Sequence, residues 1–179
     1  MRFRKPMTAA EAMAQLQSDP EWVRQHEERE AKWKAKGERL RAEEAPLIVE
    51  LAQAGYAVKS VWDLVNARWN YPDAIPVLVK HLGLAYDPRI HEGIIRALTV
   101  PEARGEPAHV LLHELVYGEY ASGADIRWVL ANALTVAADA TMTEELRGLV
   151  QDPRFEDVRQ RLTVAFKRSI RRRPKRGKT

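Results

Sequence analysis

His109 and His113 stand four residues apart in the run His-Val-Leu-Leu-His-Glu, so a helix over this stretch puts both imidazoles on one face. That spacing suits two metal ligands, and Glu114, His81 or His91 could supply more. The run is not the HExxH of zinc hydrolases, because glutamate does not directly follow the first histidine, and spacing places no second ligand pair. The sequence therefore predicts no metal, and the two rings read as partly exposed helix histidines. Other reactive chemistry is thinner still. The chain has no cysteine, which removes thiolate nucleophiles, disulfides and zinc thiolate sites together. No P-loop, GxGxxG or GxSxG occurs, and the carboxylates are scattered over charged segments without a pair set apart for acid–base work. The expectation is a protein that is not an enzyme and uses no cofactor.

Binding chemistry is better represented. Eight of the 29 basic residues and none of the 25 acidic ones fall in Lys167–Thr179, so residues 1–166 carry a formal −4. A tail holding Lys167, Arg168, Arg171, Arg172, Arg173, Lys175 and Arg176 could neutralise phosphates and bind nucleic acid weakly and without sequence preference. The plainer reading is a solvated extension, non-helical at its end because of Pro174 and Gly177. Trp62 and Trp69 could stack on a base, but Val61, Leu64, Val65 and Tyr71 beside them favour core packing.

The elements that must position these residues all read as helix. At 179 residues and 45% hydrophobic, the chain has room for one domain and a small appendage, and wholesale disorder is excluded. Alternating strand runs with hairpin turns are missing. The longest uncharged apolar-rich run, Trp128–Ala138, is too short to cross a bilayer, and the first residues lack an apolar leader core. A cytoplasmic protein with no membrane partner is expected. A short helix is predicted over Ala9–Gln17, then a highly charged one from Pro20 to about Ala45, with seven basic and seven acidic residues between Glu21 and Glu44. Trp33, Leu40 and Leu47 recur every seven residues but form one thin seam, interrupted by Gly37. That arm packs one edge onto the body or pairs with a second copy, leaving monomer and dimer both open. Ala45-Pro46 predicts a break or fresh start, Gly55 a helix end, and Ser60 a cap for a helix holding Val61, Trp62, Leu64 and Val65.

Downstream of Asp73 the chain repeats itself. Leu78, Leu112 and Leu146 are spaced by 34 and 34, as are Leu82, Val116 and Val150. A second pattern runs apolar, basic, two free, apolar, two free, Ala, apolar. It occurs as Ile90-His91…Ile94…Ala97-Leu98, Ile126-Arg127…Leu130…Ala133-Leu134 and Val158-Arg159…Leu162…Ala165-Phe166. The two series interleave as helix A and helix B, three times over. One helical hairpin cannot cover its own apolar face, whereas stacked hairpins bury a continuous core.

On these residues the sequence resembles the HEAT-like branch of α-solenoid proteins. Pro76 matches the proline usual in the first helix, and Val158-Arg159 matches the valine-arginine pair opening the second; Ile126-Arg127 follows approximately, and His91 departs from it. The resemblance covers Asp73 to about Ile170, with a looser pair over Leu47–Arg68. It implies a fold and is nearly silent on activity. Some HEAT-like proteins are DNA glycosylases, but no catalytic set of theirs can be matched here.

The predicted architecture is all-α: a charged N-terminal helical arm over 1–45, a short α-solenoid of HEAT-like hairpins over 46–170, and a basic tail over 171–179. His91, Arg127 and Arg159 share one repeat position and should form a ladder, bridging neighbouring units or pairing with Asp87, Asp125 or Asp157 near helix starts. The functional version of that ladder is a basic stripe with Arg89, Arg96 and an exposed Trp128, facing another protein with acidic groups. Non-catalytic protein binding, as an adaptor or an inhibitor-type partner, is the expected function, and nucleic-acid association through the tail and stripe is the alternative.

Overall fold

The computed structural model describes residues 8–118 and 124–171, apart from the side chains of Ala12, Ala124 and Asp125. The described residues form helices joined by turns, with no strand among them, and fall into two compact units divided between Ala42 and Glu43.

In the first unit, Thr8 and Glu11 form a reciprocal capping box that starts α1 (Ala9–Gln17). Asp19 accepts from the Glu21 and Trp22 amides and starts α2 (Pro20–Gln53), whose first residue is the tolerated N-terminal proline. Up to Ala42 this helix is covered in local charge: Arg24 pairs with Glu21 and Glu28, and His26, stacked on Trp22, lies 3.4 Å from Glu30. Trp33 is 80% exposed.

The expected break at Ala45-Pro46 does not occur; α2 runs unbroken for 34 residues through Pro46. A proline in a helix interior removes the amide that would bond the carbonyl four residues back, a cost of about 3 kcal/mol. Here that carbonyl belongs to Ala42, and Ala42 and Pro46 are both exposed, so water can satisfy it. Immediately afterwards Leu47 and Leu51 are fully buried, each stabilising by roughly 1.5–3 kcal/mol, which outweighs the lost bond.

In the second unit, α2 ends in a Schellman motif. Gly55 takes the positive φ of 94° that the turn requires, and the Tyr56 and Gly55 amides donate to the Leu51 and Ala52 carbonyls. The buried Glu44 carboxylate accepts from the Val61 amide at 2.6 Å and from Ser60 Oγ at 3.0 Å. It thereby anchors the start of α3 (Val61–Val65), whose Ser60–Asp63 capping box matches the expected cap. Six helices follow: α4 (Ile75–Leu82), α5 (Pro88–Ala97), α6 (Glu106–Tyr117), α7 (Ala124–Ala137), α8 (Thr143–Gln151) and α9 (Arg159–Arg171). Short 3-10 turns lead into α4, α6 and α8, each burying one side chain completely: Ala74, Ala103 and Met142.

Helix α4 packs on α5, α6 on α7 and α8 on α9, while α5 also packs on α7 and α7 on α9. The repeated positions make these contacts. Leu78, Leu112 and Leu146 are buried, as are Ile94, Leu130 and Leu162; Val116 and Val150 are half-buried. Ala97, Ala133 and Ala165 are fully buried, the size that lets neighbouring helices approach closely. Between α3 and α5 the small residue is Gly93, where a Cβ would come within 2.5 Å of Val61 Cγ1.

Candidate functional site

The second helices of the three hairpins carry the residues singled out for binding. On α5, Asp87 caps the helix by accepting from the Arg89 amide at 3.0 Å, and Pro88 fixes its first turn. Asp87 in turn donates its own amide to the Glu43 carboxylate. The Arg89 guanidinium lies 4.9 Å above the Trp62 ring, and Arg96 pairs with Glu92 at 2.7 Å, one turn back on the same helix. His91 is half-buried; burial holds its imidazole below the usual histidine range, with the Glu114 carboxylate of α6 opposing that shift.

On α7, Arg127 reaches into the third hairpin. It donates to the Arg154 carbonyl, lies 3.2 Å from Asp157 and covers the Phe155 ring. On α9, Arg159 pairs with Glu156 at 3.7 Å, just before its own helix. Arg127 thus bridges the second and third hairpins through Asp157. Asp87 is occupied as a cap, and the Asp125 side chain lies outside the described residues.

Trp128 is 39% exposed, and the guanidinium of Arg161 lies 4.8 Å above its ring. Together with Val164, Gln160, Glu156 and Asp157 they line a cleft of about 400 Å³ on α7 and α9. The acidic residues of this cleft already have cations, Arg159 for Glu156 and Arg127 for Asp157. Arg161 has no acidic partner among the described residues. Sequence reasoning missed Arg161 and Val164, although the signal was present: once Val158, Leu162 and Ala165 are assigned to the core, positions 161 and 164 fall outside that stripe.

The tail residues separate. Lys167, Arg168 and Arg171 belong to α9, and Arg172, Arg173, Lys175 and Arg176 lie outside the described residues. Arg168 donates to the Thr135 carbonyl at 2.8 Å, in the last turn of α7, where a cation is favoured by the helix dipole. Lys167 and Arg171 are exposed, with no acidic partner among the described residues.

His109 and His113 point to different partners. The first lies 2.9 Å from Thr141 Oγ1, and the second packs its ring on Tyr117. Among the described residues no three His, Cys, Asp or Glu are grouped to hold a metal.

His81 and Trp69, named above as a possible metal ligand and a possible stacking residue, have other surroundings. His81 is buried, with Nδ1 2.7 Å from the Tyr86 hydroxyl and Nε2 3.4 Å from Glu50, which also takes Lys80. Trp69 stacks on Tyr56 and, with Arg68 and Arg96, lines a second cleft of about 350 Å³. Trp62 is half-buried against Gly93, whereas Trp69 remains half in solvent. No helix among the described residues is long and apolar enough to cross a membrane. Compared with protein-family models, curated proteins and solved structures, the chain matches none of them.

Proposed function

We propose that this chain is a non-catalytic protein-binding module of the cytoplasm. It is read as a short HEAT-like α-solenoid whose second helices, α5, α7 and α9, offer a surface to another protein. An adaptor and an inhibitor that masks a partner's site are two forms of the same use. One observation carries the reading: Trp128 stands partly in solvent at a cleft, under Arg161 and beside Val164. Tryptophan and arginine dominate the binding energy of protein interfaces when they sit at a cleft of this kind. The paired packing of α4 to α9 and the burial of the repeated leucines and alanines support the solenoid part.

Affinity capture of the full-length protein from its native lysate, with and without nuclease, tests this reading when read by mass spectrometry. One stoichiometric partner should survive nuclease and be lost with Trp128→Ala. A partner retained undiminished by that variant would place binding elsewhere.

A second reading, nucleic-acid association, is favoured by one specific feature. Helix α9 holds five basic and no acidic residues, and the sequence adds five more cations after it. Because α9 runs to Arg171 and buries Ser169, the tail is best removed after Arg171. On that reading, truncation weakens binding to duplex DNA and flattens its salt dependence.

A further inference from the structure

We infer that the α7–α9 face binds an acidic amphipathic helix of a partner protein, with an apolar side chain of that helix seated at Trp128 and Val164 and its carboxylates on Arg161, Lys167 and Arg171. The inference rests on the protein-binding reading above and names the chemistry of the partner.

The composition of the face supports this occupant. Val164 is 49% exposed and Trp128 39%, and both line the same cleft, so an apolar anchor has a place to go. The charge left without a counter-ion around that anchor is positive. Arg161, Lys167 and Arg171 have no acidic partner among the described residues, and the two carboxylates of the cleft are already engaged by Arg127 and Arg159. Elsewhere on the second helices Arg96 pairs with Glu92, Arg127 with Asp157 and Arg159 with Glu156, Arg168 donates to the Thr135 carbonyl, and Arg89 lies over the Trp62 ring. Three cations without an acidic partner among the described residues thus lie together on α9, beside the cleft.

Spacing sets the form of the occupant. Arg161, Val164, Lys167 and Arg171 follow one another at three, three and four residues, the spacing of one side of a helix. From first to last they are ten residue steps apart, about 15 Å at ~1.5 Å per residue. A helix of three turns laid along them matches that length, with carboxylates every three or four residues and one large apolar residue among them. A nucleic acid would use the same cations but has no need of Val164, and this difference separates the two occupants in a test.

The probe is a fluorescein-labelled 14-residue alanine-based helical peptide carrying four glutamates and one leucine, titrated with the full-length protein and read by anisotropy. A peptide with lysine in place of each glutamate and a labelled 20-base-pair DNA duplex serve as controls. The acidic peptide should bind. Trp128→Ala and Val164→Asp should each weaken it at least tenfold, and Arg161→Glu with Lys167→Glu should abolish binding. The lysine peptide should not bind. Circular dichroism of each variant checks that the helices are retained; Trp128 and Val164 are exposed enough for the fold to tolerate these changes.

Failure of the acidic peptide to bind overturns the inference, as does binding that Val164→Asp leaves unchanged. DNA binding tighter than the peptide and indifferent to Val164→Asp also overturns it, in favour of a phosphate surface. These failures differ from failure of the protein-binding reading. If the peptide does not bind but Trp128→Ala still releases the partner captured from lysate, the surface is right and the partner's chemistry is wrong.

Discussion

The heptad spacing of Trp33, Leu40 and Leu47 treats the three residues alike, yet Leu47 is fully buried and Trp33 is 80% exposed. All three belong to one helix, α2. Before Ala42 that helix is held by its own charges, through solvent-screened surface pairs such as Arg24 with Glu21 and Glu28. After Glu43 it is held by tertiary packing at Leu47 and Leu51 and by the Glu44 carboxylate on α3. Periodicity reports which side chains share a face. Whether something covers the face is decided by what the rest of the chain brings to it.

The largest effect that would break this contrast is a pair of truncations. Leu130→Ala removes a fully buried side chain from α7, which packs on α5, α6 and α9, and should cost about 2–5 kcal/mol in urea unfolding. Trp33→Ala removes a larger side chain from water and should change stability by no more than ~0.5 kcal/mol. Comparable losses would mean that the exposed stretch of α2 contributes to the cooperative core after all.

A smaller effect sharpens the same contrast by changing its sign. Gly93→Ala inserts a methyl within 2.5 Å of Val61 Cγ1 and 3.0 Å of Trp62 Nε1, so these side chains or the helices that carry them must shift, at about 1–3 kcal/mol. At Gly37 a Cβ meets nothing within 4 Å, and the residue lies inside a helix. Alanine there should stabilise by about 0.5–1 kcal/mol through helix propensity alone. Thermal melts of both variants, expected to shift in opposite directions, provide the check.

Much of the helical order was legible from local signals. Thr8, Ser60 and Asp87 all act as caps, with the capping boxes falling at Glu11 and Asp63, three residues on. The repeated leucines and alanines are buried where helices α4 to α9 pack on one another. Pro46 was misleading. The rule that proline ends a helix is local, and here the burial of Leu47 and Leu51, which depends on partners distant in sequence, prevails. The binding face was half legible. Trp128 stands out as an aromatic residue off the repeated positions, but nothing in the sequence says that Arg127 will be paired and Arg161 left without an acidic partner. Their difference comes from Asp157 and the Arg154 carbonyl, which α7 meets only once the third hairpin folds against it. Glu44 was illegible for the same reason: nothing in Glu43-Glu44 says which carboxylate will be buried on the amide of Val61, seventeen residues away.

The smallest expected effect concerns the one place where the repeat changes its chemistry. His91 stands where Arg127 and Arg159 stand in the later hairpins, and only the histidine can lose its charge near neutral pH. Burial holds its folded pKa below the ordinary value of 6.5, and Glu114 opposes this without reversing it. A ring with a depressed folded pKa contributes stability that is fully present above the unfolded value. That contribution is lost as pH falls from about 6.5 through the folded pKa, because the unfolded chain then binds the proton more readily. Urea midpoints measured from pH 8 to pH 5 should therefore fall more steeply for the natural protein than for His91→Gln. The remaining histidines are common to both and cancel in the difference. Parallel curves would mean that the first hairpin accommodates a charged ring at this position as readily as the later ones accommodate arginine, and that the departure from the repeat carries no pH sensitivity.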